Sequence, residues 1–416
     1  MDNLPNLIQE TEHLTNQFLA ANKSLYLVGG IVRDLCLKSE ITSEVDLDLT
    51  TDALPEEIKQ IVAPIATNLW ITGEKFGTIG IHYNNRTYEI TTHRSESYDA
   101  DSRKPEVAYS MDINEDLSRR DFTINAMAIS LPEGTLIDPF NGQKDLREGL
   151  LRTPLTPEES FSDDPLRMLR AARFTAAYNL TPDPELVSAI HALIGRFNIV
   201  SAERIIGELD KLLLAHNPQR GLALLHDTGL LNVFLPEVTP ERFTCISNLP
   251  LDSTIRAAGL LSETESTISM KRLRELRYSK ERISTIQQVL AGSQRILEDP
   301  SGDSDYRRWY HMVGEARDAS YQIAKTLSDN AEDIWAKMEE TRIRLGNELD
   351  NFSLPITGNE IIELLEVEEG KIIGEALQYL QDLRFDQGPF SNSEARDILQ
   401  DWWTTKTNES DGTDTN

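Results

Sequence analysis

The spacing of the apolar residues changes once along this chain, near residue 155, and that change limits the folds open to it. Before it, stretches such as "EVDLDLTT" (44–51) and "FGTIGIHYNNRTYEITTHR" (76–94) alternate apolar and polar residues, the period of a half-buried strand. Asn84-Asn85 marks the turn of a hairpin in the second. Beyond it the period is helical almost everywhere, broken by turn signals such as "NLTPDP", "AHNPQRG", "FLPEVTP" and "FSLPITGNE". A chain of 416 residues is too long for one core. The expected class is therefore α+β: a head of mixed sheet and helices over residues 1–150, then an all-α remainder. Residues 4–22 read as an amphipathic helix, 25–28 as a short strand, and 92–110 as a polar, mobile loop. The tail from 404, "TTKTNESDGTDTN", reads as disordered.

Composition removes several classes. No apolar run approaches the ~18 residues of a membrane span. The acidic N-terminus has no long apolar core and is no signal peptide, and Cys36 and Cys245 make neither a disulfide framework nor a metal motif. A reducing, cytoplasmic interior is expected. The net charge of −28 argues against a uniformly basic nucleic-acid binder. Phosphate contacts need only a local patch, and Arg119–Arg120, the set Arg167, Arg170 and Arg173, and "KRLRELRYSKER" at 271–282 supply such patches.

Asp46 and Asp48 stand two apart in the first alternating stretch, so both carboxylates point to the face opposite Leu47 and Leu49. Like charges so placed repel. An acidic strand face in water is common, and the pair gains meaning from its neighbours. "LYLVGGIVRD" puts Gly29 and Gly30 between a strand and a helix, where the chain turns tightly and free amides can seat a phosphate. Arg33 follows one turn later, able to fork onto the same anion. Divalent metal bridging the carboxylates to a triphosphate would offset the repulsion. Glu89, on a later strand, reads either as a third carboxylate for metal or proton or as a salt-bridged strand residue.

Two further segments carry charge in a pattern. In "DLSRRDFTINAMA" (116–128), Arg120 can hold phosphate, and Asp121 reads as a helix cap or as an acceptor for a ribose hydroxyl. In "FSDDPLRMLRAARF" (161–174), Pro165 suits a first helical turn and Asp164 its N-cap. Arg167, Arg170 and Arg173 then share one helix face at spacing three. This is either a solvated stripe or a site. As a site, the Asp164 carboxylate accepts from the exocyclic amine of cytosine or adenine while Arg167 donates to the adjacent ring nitrogen or carbonyl. Uracil and guanine would oppose a carbonyl to the carboxylate and be rejected.

Taken in order, "LVGGIVRD", "VDLDLTTDALPEE", "FGTIGI", "YEITTHR", "EDLSRRDFTINAMA", "IDPFNGQKDL" and "FSDDPLRMLRAARF" resemble the bacterial tRNA nucleotidyltransferases, the CCA-adding branch of the poly(A) polymerase superfamily. The resemblance is strong over 24–240 and fainter at "ITGNEIIELLEVEEGKIIGEALQYL". It implies a catalytic head (1–150), a helical neck for base and RNA (151–245), a body and tail for tRNA (246–403) and a free acidic end (404–416). It implies template-independent addition of CCA to tRNA from CTP and ATP with two Mg²⁺. Asp46 and Asp48 would bind metal, with Glu89 beside them. Gly29, Gly30, Arg33, Arg120 and Asp121 would hold triphosphate and ribose. Asp164 and Arg167 would read the base, supported by Arg170 and Arg173, and the loop 92–110 would take part in switching from C to A. The tRNA acceptor arm is the implied partner; oligomeric state is left open. Rivals are a poly(A) polymerase, an enzyme adding only CC or only A, and a non-catalytic RNA-binding relative. Two departures stand out. The base-reading motif commonly begins Glu-Asp and here begins Asp163-Asp164. Also, His226-Asp227 matches a neck helix, leaving too few histidines downstream for the phosphohydrolase site that close relatives often carry.

Overall fold

The computed structural model describes residues 3–38, 46–71, 77–97, 106–350 and 352–411. Glu44 and Val45 of the first alternating stretch, the loop tip 98–105 and the last five residues lie outside that set. The chain forms two compact units: 1–247 with 275–277, and 248–274 with 278–416.

The head contains strands β1 (Leu25–Val28), β2 (Leu47–Thr51), β3 (Asn68–Trp70), β4 (Thr78–Tyr83), β5 (Arg86–Thr92), β6 (Arg94–Ser97), β7 (Glu106–Tyr109), β8 (Ala128–Leu131) and β9 (Leu136–Ile137). Its helices are α1 (Leu4–Ala20), α2 (Gly30–Cys36), α3 (Pro55–Val62), α4 (Ile113–Ser118) and α5 (Gly142–Glu148). Seven strands form one sheet in the order β3–β4–β5–β2–β1–β8–β9. Only β2 and β5 run parallel within it, and their register sets Asp48 beside Glu89. The alternation decides which face is core. Leu47, Leu49, Ile79, Ile81, Tyr88 and Ile90 pack in one cluster with Leu14 and Phe18 of α1, Val32 of α2 and Ile58 of α3. Each such side chain contributes about 1.5–3 kcal/mol of burial. Asp48 and Glu89 are left on the open face. Asn84 and Asn85 both have positive φ (47° and 59°), as a two-residue hairpin turn between β4 and β5 requires.

The loop expected over 92–110 is structured at both ends. β6 and β7 pair as an antiparallel ribbon, from Arg94 opposite Tyr109 to Ser97 opposite Glu106. Polar composition hid it, because a ribbon needs only backbone hydrogen bonds. The His93 amide donates to the Thr51 carbonyl (2.7 Å) and the His93 carbonyl accepts from the Ser110 amide (2.8 Å), which fixes the ribbon's root to β2.

The neck continues the same unit. Short strands β10 (Leu150–Leu151) and β11 (Thr181–Pro182) pair in parallel. Arg152 bonds Asp145 on one side (3.0 Å) and Asp183 on the other (2.8 Å), so no unit boundary falls at residue 150. Helices α6 (Pro157–Asp163), α7 (Leu166–Tyr178), α8 (Pro184–Leu193), α9 (Ala202–Leu213) and α10 (Pro218–Asp227) follow. α6 opens with a reciprocal Thr156–Glu159 capping box. Gly221 lets α10 lie on α7: a β-carbon there would stand 2.5 Å from the Ala172 carbonyl oxygen. His226 and Asp227 end α10.

The second unit is helical. Its first core gathers Trp309, Tyr306, Ile296, Ile334 and Met338; its second gathers Ile361, Ala376, Leu380 and Leu399. The last helix runs Asn392–Asp411, so residues 404–411, expected to be disordered, are helical. Local contacts explain this. Lys406 ion-pairs with Glu375 and lies over the Trp402 ring, and Thr404 and Thr407 return their hydroxyls to the carbonyls of Gln400 and Trp403. No described helix is long and apolar enough to cross a membrane.

Candidate active site

Gly29 is the point where the head's charged groups meet. Its φ of +73° is a conformation that favours glycine, and a β-carbon there would lie 3.3 Å from Arg120 Nη1 and 3.6 Å from Asp48 Oδ2. The turn between β1 and α2 thus passes directly over one carboxylate and one guanidinium. Asp46 is exposed and immediately precedes β2. Solvent reaches Asp48, yet its crowded surroundings hold it above the usual carboxylate range. Desolvation leads, Arg120 opposes it, and the charges of Glu89 and Asp46 add to it. Among the described residues no group of three or more His, Cys, Asp or Glu closes a metal cage. Two carboxylates on an open strand face nonetheless suit a divalent cation of the kind held by one or two carboxylates plus waters and substrate phosphates.

Asp116 organises the arginine pair. Fully buried, it accepts from Arg119 Nη2 (2.6 Å) and Arg120 Nη2 (3.0 Å). Burial alone would raise its pKa; the charges of Arg120 and Arg119 outweigh burial and hold it at about 2. Arg120 Nε is buried without a hydrogen-bond partner. His93 donates or accepts at Thr50 (2.8 Å), and burial keeps its ring below the ordinary histidine range.

Asp121 is not an α-helix cap. It precedes a single 3-10 turn, Thr123–Asn125, whose own N-cap is Phe122. Its Oδ1 accepts from the Phe122 amide and the Asn125 side chain, and its Oδ2 takes Arg170 through two donors. Burial opposes ionisation here as well, but Arg170 and Asn125 hold the carboxyl at about 2. Arg33, expected to reach a phosphate, is only 7% exposed. It donates to Asn125 (2.8 Å) and Asp34 (2.9 Å), and its guanidinium lies 4.2 Å from the centre of the Tyr178 ring. It supports the floor beneath Gly30 from inside the protein.

The arginine stripe on α7 is not solvated. Arg167 is buried and donates to Ser160 (2.9 Å) and to the Arg119 carbonyl. Arg170 and Arg173 share Glu208 of α9, at 3.4 Å and 2.6 Å, and both flank the Phe174 ring. The anion that three aligned arginines need is therefore inside the protein. Asp164 does not pair with Arg167. It lies between α6 and α7, accepts from the Leu166 amide at Oδ1 (3.2 Å) and takes Arg204 of α9 at Oδ2 (2.7 Å). Asp164 is not the N-cap expected for α7, a place taken by Pro165; it ends α6, and only its bond from the Leu166 amide resembles a cap.

Four members of this set escaped sequence reasoning: Asp116, Asn125, Arg204 and Glu208. Glu208 left a signal. In "ERIIGELDKLL" it occupies the stripe of Ile205, Leu209 and Leu212, and a carboxylate on an apolar face needs a buried cation.

Residues 25–152 match the poly A polymerase head domain, and residues 179–242 match the probable RNA and SrmB-binding site of polymerase A. The CCA-adding enzyme of Ligilactobacillus salivarius is 31% identical over 386 residues, 92% of this chain and 93% of that one. That of Levilactobacillus brevis is 32% identical over 392 residues, 89% of this chain and 94% of its own length. The crystal structure of the Bacillus stearothermophilus CCA-adding enzyme in complex with CTP superposes with a TM-score of 0.78 at 25% identity, covering 96% of this chain and 98% of that one. On fold, site and similarity over almost its whole length, the chain belongs to the CCA-adding enzyme family.

Proposed function

We propose that this chain completes the 3′ end of tRNA, adding C, C and A from CTP and ATP with release of pyrophosphate. The enzyme is a nucleotidyltransferase, and its family uses divalent metal. The observation that carries the reading is the meeting of Asp48 and Arg120 under the Gly29 turn, with Glu89 alongside and Asp46 at the strand's start. Asp46 and Asp48 would hold Mg²⁺. A metal held by these carboxylates would supply Lewis-acid activation of the RNA 3′-hydroxyl and charge shielding for the phosphates. The chain's own groups do the rest. Arg120, held by Asp116 through Nη2, would present Nη1, beside the Gly29 turn, to the triphosphate. Asp121 fixes Arg170, and the Gly29–Gly30 turn leaves room for close approach.

Asp164 and Arg167 supply the choice of base without a template. A carboxylate has about four lone-pair sites, and Asp164 uses two of them in the protein. A guanidinium has five N–H donors, and Arg167 uses two. Acceptor and donor capacity therefore remain for the edge of C or A. A cytoplasmic setting follows from the tRNA substrate.

A tRNA transcript lacking CCA, incubated with Mg²⁺ and CTP, ATP or both, decides the reading at single-nucleotide resolution. CC with CTP alone, and a stop after one A with both, is the expected result. A long A ladder would make this a poly(A) polymerase, growth only on a CC-ended transcript would make it an A-adding enzyme, and no extension would leave a non-catalytic RNA binder.

A further inference from the structure

We infer that the indole of Trp70 is the platform on which the last base of the acceptor RNA stacks during transfer. This rests on the reading of RNA as the acceptor and of Asp46 and Asp48 as the metal-holding carboxylates.

The register carries one row of residues across the open face of the sheet. Trp70 of β3 stands opposite Gly80 of β4, Gly80 opposite Glu89 of β5, and Glu89 beside Asp48 of β2. Leu69 packs against the head's core, so the alternation puts Trp70 on the other face, with Glu89 and Asp48. Gly80 gives the indole its bed. A β-carbon there would stand 2.1 Å from both Cε2 and Nε1 of Trp70 and 2.6 Å from Cζ2. Gly80 has no left-handed φ, so it is the ring and not the backbone that calls for glycine. The indole therefore lies across β4, two strand spacings or about 10 Å from Asp48. Gly80 is buried, whereas Trp70 itself stays partly exposed.

The side of the sheet is the one from which an acceptor would come. Attacking and departing oxygens lie roughly in line across the phosphorus. The Gly29 turn and Arg120, proposed for the phosphates, stand on the β1 side of Asp48. The RNA would then arrive from the opposite side, over β5, β4 and β3, and its terminal ribose at the carboxylates would carry its base toward the indole. The surroundings suit an anionic strand. In a chain of net charge −28, β3 and β4 carry no carboxylate, and Thr78, Thr91 and His82 share the indole's face. Every base has a π-face, so stacking holds an RNA end whose last base changes as the product grows.

The test uses the full chain carrying Trp70→Ala, Trp70→Phe or Gly80→Ala, the last of which has to displace the indole. Two acceptor RNAs lacking CCA are compared, identical except that one ends in an abasic nucleotide. KM for RNA and KM for CTP are measured, with Tm as a check on folding. Trp70→Ala and Gly80→Ala are each expected to raise KM for the RNA about tenfold, with KM for CTP within about twofold of the parent and most of the loss restored by Trp70→Phe. The parent should bind the abasic RNA about tenfold less well, and Trp70→Ala should no longer tell the two RNAs apart. An abasic penalty that persists in full in Trp70→Ala overturns the stacking role and leaves the indole a cover for β4. An unchanged KM for RNA in Trp70→Ala overturns it as well. A parent that extends neither RNA overturns the reading of RNA as acceptor beneath it.

Discussion

Two charged regions of the first unit are built on opposite electrostatic plans. On the open face of β2 and β5, Asp46, Asp48 and Glu89 are exposed at their side chains, and Asp48 is raised first by desolvation and then by the charges of Glu89 and Asp46. Between α7 and α9, Asp121, Arg170, Glu208 and Arg173 are paired within the protein, with Glu208 only 5% exposed. The first region is electrostatically unfinished, and cation and phosphate would complete it. The second is finished before any ligand arrives. The difference fits the two tasks. Under the proposed roles, a reacting end has to bind charge that comes and goes, whereas a reading end has to hold one shape in place of a template.

Neutralising the open edge gives the largest expected effect. Asp48→Asn should lower transfer by about a thousandfold or more, because it removes a carboxylate proposed to hold metal. It should also leave Tm unchanged or slightly raised, since it removes a charge that is desolvated and repelled by Glu89 and Asp46. A clear fall in Tm would mean that Asp48 is part of the fold's framework, and the contrast between the regions would fail.

The finished region should behave in the opposite way. Glu208→Ala takes from Arg173 its ion-pair partner and leaves Arg170 with Asp121 alone, and is expected to cost about 3 kcal/mol of stability, measured by urea unfolding. A cost below about 1 kcal/mol would show that solvent already screens the network.

A smaller effect is expected from pH. Asp116 and Asp121 are held at about 2 in the fold, below their ordinary value. Depressed carboxylates stabilise above the unfolded-state pKa and lose that contribution as pH falls through the folded one. Each is expected to contribute on the order of 2 kcal/mol at neutral pH and to give up about half by pH 3. Stability should therefore decline from about pH 4 toward pH 2. A flat profile across that window would remove these two pairs from the account.

The open region was largely legible in the sequence and the closed one was not. Alternation at Leu47–Leu49 set the strand's faces, Asn84-Asn85 declared the hairpin, and Gly29-Gly30 declared the turn, because each is decided by neighbours within a few residues. The fates of Arg33, Arg167, Arg170 and Asp164 depend on partners far along the chain. Arg33 meets Asn125 ninety-two residues away, and Arg170 meets Glu208 thirty-eight residues away. Spacing along one helix shows that charges share a face but not what they face. The tail erred the other way: its polar composition suggested disorder, while Trp402 and Lys406 anchor a helix that composition does not reveal.

Arg119 and Arg120 are adjacent in the chain but look to different ends of the site. The carbonyl of Arg119 holds Arg167, and the side chain of Arg120 stands by Gly29 and Asp48. One peptide link, about 3.8 Å between α-carbons, therefore spans the two. It acts as a caliper. Under the roles proposed for Arg167 and Arg120, the groups that take base and phosphate hang from one covalent unit that does not stretch. The neck can change in sequence without changing that measure, provided one carbonyl and one guanidinium keep their places.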